Sequence, residues 1–187
     1  MDPSPFRLIP EAPGTRSSSG PPLAVRAKTD ADADFLWKLY LATRAEEFAP
    51  LNLPPAQLEA LIADQWRLEQ ASRAETFPNA EHRVILLDGQ PIGRVVVDRQ
   101  PVRLFGVDFA ILPQLRCRGY GGRVLHDLQR EAAALGVPFA LRVFKWNRAR
   151  NLYLRLGFRD CSETDLQYEM KDELPAAAAE TRGGTQG

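Results

Sequence analysis

From Arg103 to Phe144 the chain passes from a strand-like segment through a glycine-rich turn and an amphipathic helix into a second strand. No other feature constrains its fold as strongly. Arg103 to Leu112 read as a long strand, and Leu115-Arg116-Cys117-Arg118-Gly119-Tyr120-Gly121-Gly122 follow it. The next segment carries Val124, Leu125, Leu128, Ala132 and Leu135 on one side, with Gly136 as its stop and Pro138 beyond. Phe139 to Phe144 then read as another strand. Strands joined by a helical crossover lie parallel, and such a crossover is right-handed.

The flanking segments add an antiparallel part. Val25 to Lys28 can form a first strand. Thr29 or Asp30 caps a helix with an apolar face of Phe35, Leu36, Leu39 and Tyr40, ending near Phe48 before Pro50. Asn52 and Pro54-Pro55 open a second helix, with Leu58, Leu61, Ile62 and Trp66 on one face. Val84 to Leu87, a tight turn at Asp88-Gly89 and a return strand from Ile92 to Asp98 form a meander that leads into the long strand. After Phe144, a short helix from about Arg148 to Leu156 is closed by Gly157, and Phe158 onward and Leu166 to Met170 read as last strands. The expected fold is a mixed α/β sheet, with an antiparallel N-terminal meander and a parallel β–α–β centre.

Residues 1–22 hold six of the fifteen prolines and the run Ser17-Ser18-Ser19-Gly20. Together with residues 173–187 they read as disordered tails around one domain, 23–172, of about 150 residues. Lys plus Arg and Asp plus Glu number 24 each, which argues against a dedicated nucleic-acid binder. No apolar run is long enough to span a membrane, and the first residues lack the basic-then-apolar pattern of a signal peptide. Cys117 and Cys161 lack metal-ligand spacing, so no metal is expected. The expected setting is cytoplasmic, and the expected state a monomer or homodimer.

The turn carries the chemistry. Arg116, Gly119 and Gly121 form R-x-x-G-x-G. Glycines let the backbone approach a ligand and turn successive N–H groups toward it. A helix N-terminus favours an anion, and Arg116, Arg118 and Arg123 add charge suited to phosphate. The description is that of a pyrophosphate cradle. A nucleotide P-loop would end in Gly-Lys-Ser/Thr, where this chain has Gly121-Gly122-Arg123. A dinucleotide fingerprint would place a third glycine where Val124 stands.

About thirty residues on lies Asn147-Arg148-Ala149-Arg150-Asn151-Leu152-Tyr153-Leu154-Arg155-Leu156-Gly157-Phe158. With this second motif the chain resembles the GNAT superfamily of acyl-CoA-dependent N-acetyltransferases, most closely from Phe105 to Arg159. The resemblance implies a splayed parallel centre, acetyl-CoA as acyl donor and an amine as acceptor. It implies that Arg116, Cys117, Arg118, Gly119, Tyr120, Gly121 and Gly122 hold the diphosphate, and that the backbone of Phe109, Ala110 and Ile111 lines the pantetheine. It gives Asn147 a contact to the pantetheine arm and directs Tyr153 at the thioester sulfur. The chain has one residue fewer between Asn147 and Tyr153 than the commoner family spacing.

Acyl transfer to an amine needs a proton acceptor, donors aimed at the developing oxyanion, and an acid for the leaving thiolate. A phenol and a thiolate are of similar basicity, so Tyr153 is the candidate acid. Asp108, Glu46 and Glu47 are the candidate bases, with bulk water as the remaining choice. In some relatives a glutamate stands five residues before the motif's Asn, where this chain has Arg142. Trp37, Trp66 and Trp146 read as packing residues, Trp146 also as one that could touch acceptor or cofactor. The expected activity is acetyl transfer to a primary amine in a ternary complex. The alternative is a non-catalytic CoA-binding sensor or docking module of the same fold.

Overall fold

The structure is a computed structural model and describes residues 22–173. The two tails expected at 1–22 and 173–187 therefore lie outside the described residues, apart from Pro22 and Glu173. Seven strands form one sheet: β1 (Leu23–Ala27), β2 (Glu81–Leu87), β3 (Gln90–Gln100), β4 (Arg103–Ile111), β5 (Phe139–Phe144), β6 (Arg159–Glu163) and β7 (Gln167–Lys171). Their order is β1-β2-β3-β4-β5-β7-β6. Four helices accompany them: α1 (Ala33–Phe48), α2 (Pro55–Thr76), α3 (Tyr120–Ala134) and α4 (Ala149–Arg155). Among the described residues no helix is long and apolar enough to cross a membrane.

The chain falls into two compact units. The first comprises residues up to Val96 together with Asp108–Arg116, and the second comprises Val97–Val107 with the chain from Cys117 onward.

In the first unit β1 and β2 run antiparallel, Leu23 opposite Leu87 and Ala27 opposite Arg83. Asp88 and Gly89 both have positive φ, 49° and 75°, the backbone a two-residue turn between twisted strands requires. Every residue of β3 from Ile92 to Asp98 is buried, so the strand is covered on both faces. Leu36, Leu39 and Tyr40 of α1 enter the core as their spacing predicts. On α2 only Ile62 is fully buried, whereas Leu61 and Leu68 remain 40% and 72% exposed. The apolar face expected on this helix is thus narrower than its leucines suggest. Trp37, Tyr40 and Trp66 fill the space between α1 and α2, with the Tyr40 and Trp66 ring centres 4.6 Å apart.

In the second unit β4 and β5 are parallel, as the helical crossover demands, with Leu104, Phe105 and Gly106 opposite Phe139, Ala140 and Leu141. This ladder has three registered pairs, while Arg142, Val143 and Phe144 go on to pair antiparallel with Glu169, Tyr168 and Gln167 of β7. α3 buries Val124, Leu125, Leu128 and Ala132, four of the five apolar positions read from its spacing. Leu135, the fifth, lies past the helix end and is exposed. Phe139, Phe158 and Tyr153 pack ring against ring, at 5.4 and 5.7 Å.

Candidate active site

The strand-to-helix turn is built as its sequence suggests. Cys117 and Gly119 both adopt left-handed backbone, φ 60° and 85°. A Cβ on Gly119 would meet nothing within 4 Å, so glycine is required there by conformation and not by space. Arg123 N–H makes the first α-helical bond, to the Gly119 carbonyl at 3.1 Å. The amides of Tyr120, Gly121 and Gly122 therefore open α3 at the positions where helix geometry supplies no acceptor. Cys117, Arg118 and Gly119 are exposed. Fifteen residues of aligned peptide dipoles stand behind these amides, and an anion is the group they favour.

Tyr153 is buried on α4, beside Phe158. Asn147 is exposed, and its Oδ1 accepts the Ala149 N–H at 2.9 Å, so it caps the start of α4. Trp146, expected to pack, is 69% exposed and stacks on Phe144 with ring centres 4.8 Å apart. Phe144 ends β5 and Trp146 lies in the turn that follows, closed by the Asn147 N–H donating to the Phe144 carbonyl at 2.9 Å, which folds the two rings together.

In the first unit, Arg116 does more than offer charge. Its Nε donates to the Ile111 carbonyl at 3.2 Å, and its Nη1 pairs with Glu46 at 2.6 Å. The arginine thus ties the end of β4 to the end of α1. Each of the three candidate bases is held by arginine. Glu46 is on Arg116, and Glu47 is on Arg44 at 2.5 Å. Asp108 Oδ2 lies 2.5 Å from Arg94 Nε and 3.6 Å from Arg73 Nη1. The Asp108–Arg94 contact is Coulombic, since neither atom has a hydrogen bond of normal geometry.

The pairs of Asp108 and Glu47, though not that of Glu46, belong to a chain of charges that sequence reasoning missed. Arg94, Asp108, Arg73, Glu69, Arg44 and Glu47 alternate in sign across β3, β4, α2 and α1. Arg94 lies over the Tyr40 and Trp66 rings, 5.6 and 5.2 Å from their centres. Burial pushes the Tyr40 phenol above its ordinary pKa and the Arg94 guanidinium below its own. The signal was present: Arg94 interrupts the apolar run Ile92-Gly93-Arg94-Val95-Val96-Val97, and a charge inside a buried strand needs a partner.

Residues 39–158 match the acetyltransferase (GNAT) family. No curated protein sequence matches the chain. Among solved structures, the PaiA N-acetyltransferase from Thermoplasma acidophilum, in complex with coenzyme A, is similar with a TM-score of 0.63 at 14% identity, over 81% of this chain and 99% of that one. The GCN5-related N-acetyltransferase from Rhodopseudomonas palustris has a TM-score of 0.59 at 18% identity, over 86% and 100%. An acetyltransferase from Thermus thermophilus has 0.57 at 19%, over 80% and 95%. These likenesses show a shared fold. The family match spans well over half of the chain, across β4, the turn, α3, β5 and α4, and with it the chain belongs to the GNAT family of acetyltransferases, whose acyl donor is acetyl-CoA.

Proposed function

We propose that the chain is an N-acetyltransferase that moves the acetyl group of acetyl-CoA to a primary amine of a small molecule or protein, by direct attack in a ternary complex. The observation that carries this reading is the turn before α3, with left-handed backbone at Cys117 and Gly119 and, at the head of a 15-residue helix, the amides of Tyr120, Gly121 and Gly122 that helix geometry leaves without an acceptor. Those amides receive the diphosphate, with Arg116 and Arg118 beside it. The backbone of Phe109, Ala110 and Ile111 lies along the pantetheine and supplies a donor for the carbonyl oxygen as charge develops on it. Asn147 uses its Oδ1 on α4 and offers its amide donors to the pantetheine arm.

In the reaction the neutral amine bonds to the thioester carbon, the C–S bond breaks, and the Tyr153 phenol protonates the departing sulfur. The amine's proton leaves by solvent or by a carboxylate. Glu46 and Glu47 are exposed, and their ion pairs are of the weakly held surface kind, so either can be released for this task. Asp108, enclosed by Arg94 and Arg73, serves better as an anchor for β4 than as a base.

The test follows free thiol from acetyl-CoA against a panel of amines and peptide N-termini. Turnover with at least one acceptor is expected, and Tyr153→Phe should lower kcat about 10–100-fold while leaving the KM for acetyl-CoA within about threefold. Tight CoA binding with no turnover over the whole panel would replace the enzyme by a sensor. An unchanged kcat in the variant would remove Tyr153 as the acid.

A further inference from the structure

A cavity in the first unit, which shares no residue with the turn before α3, is lined by residues of α1, α2, β2 and β3 and by Lys28. Its cavity volume is about 40 Å³, and it opens to solvent. Four of its lining residues are basic, Lys28, His82, Arg83 and Arg94, and none is acidic. Leu36, Trp66 and Val96 supply apolar wall. Charges that face such a wall are screened less than charges in water.

Arg94 is the unusual member. It is 7% exposed, its charge is met by Asp108 at Nε and by two ring faces, and it donates no hydrogen bond among the described residues. Of its donor nitrogens only Nε is both buried and without a hydrogen bond of normal geometry, and buried donors left so are costly. Arg83 is held by Glu81 at 2.8 Å, so Glu81 and Asp108 offset part of the positive charge from outside the lining. Lys28 has no carboxylate partner among the described residues. Burial, and then the charges of Lys28, Arg73 and Arg94, hold His82 below its ordinary pKa, with Asp108 acting the other way.

We propose that this cavity is a binding site for a compact phosphate-type oxyanion, whose oxygens accept from the Arg94 guanidinium and whose charge is met first by Lys28. A tetrahedral dianion presents acceptors in several directions at once, as basic groups contributed by separate strands require. A monocarboxylate presents two oxygens and a single charge and fits less well.

The test titrates inorganic phosphate into the full chain saturated with CoA, against sodium chloride at equal ionic strength, and follows the melting temperature. CoA fills the diphosphate turn, so that turn cannot account for a response. Phosphate at ten times its Kd should raise Tm by about 3–6 °C. The rise should be largely lost in Lys28→Gln and in Arg94→Met. Lys28 is exposed, so its variant keeps the test decisive even where Arg94→Met fails to fold. A phosphate response no greater than that of chloride overturns the proposal. So does a response that survives unchanged in Lys28→Gln, and so does an acetate response equal to that of phosphate.

Discussion

Gly93 shows how much one missing methyl can decide. A Cβ built there would lie 2.4 Å from the Ala110 carbonyl oxygen, 3.1 Å from Ile111 Cγ1 and 3.2 Å from Ile85 Cδ1. The closest of these atoms is backbone and cannot turn aside as a side chain would. β4 therefore approaches β3 here at a distance only glycine allows, within the segment proposed to lie along the pantetheine. Gly93→Ala is expected to destabilise the protein by about 1–3 kcal/mol, read as a lower urea midpoint at an unchanged slope. A wild-type midpoint would mean that the two strands have room to part. Its neighbour Arg94 makes a related point about charge. A guanidinium in a buried strand is retained because Asp108 and the faces of Tyr40 and Trp66 meet it, and no one of those partners is adjacent to it in sequence.

At the scale of elements, the short 3-10 turn Asp30–Asp32 that leads into α1 is closed by a capping box. Thr29 N–H donates to Asp32 Oδ2 at 2.7 Å, and the Thr29 hydroxyl reaches the same oxygen at 3.0 Å. Arg26 of β1 holds both Asp32 oxygens at 2.7 Å. The Arg26 guanidinium holds the Asp32 carboxyl far below the usual carboxylate range, with the Thr29 bonds adding to it against the cost of burial. A carboxyl depressed in the folded state stabilises at pH above its unfolded value, about 4, and that contribution is lost as pH falls toward the folded value. Asp32→Asn is thus expected to cost about 1 kcal/mol at pH 7. Its deficit should shrink as pH drops below about 4, read by chemical denaturation of both proteins across that range. A deficit that stays constant with pH would assign the effect to packing and not to charge.

For the molecule as a whole, ligand binding is the most direct lever on stability. A ligand that binds only the folded chain stabilises by mass action, so acetyl-CoA at about a hundred times its Kd should raise Tm by about 5–10 °C. Gly121→Glu sets a carboxylate and added bulk among the amides that open α3, and it should abolish that rise while the unliganded Tm is kept or slightly raised. A rise that persists in this variant would place the cofactor elsewhere.

Most of the scaffold was legible before any coordinates. The crossover from Arg103 to Phe144 dictates a parallel pair, because chain direction and helix handedness leave no other arrangement, and β4 and β5 pair so. Asp88-Gly89 specified its turn through positive φ, and the spacing of Val124, Leu125, Leu128 and Ala132 specified which face α3 buries. These are local properties: a dihedral preference or a periodicity is carried by residues next to one another. What only the tertiary structure decided is pairing at a distance. That Glu46 meets Arg116, that Asp108 lies between Arg94 and Arg73, that Trp146 stays exposed on Phe144 and that Lys28 and Arg94 share a cavity all depend on how strands and helices come together. Coulomb forces and ring contacts act through space, and neither leaves a periodic trace along the chain.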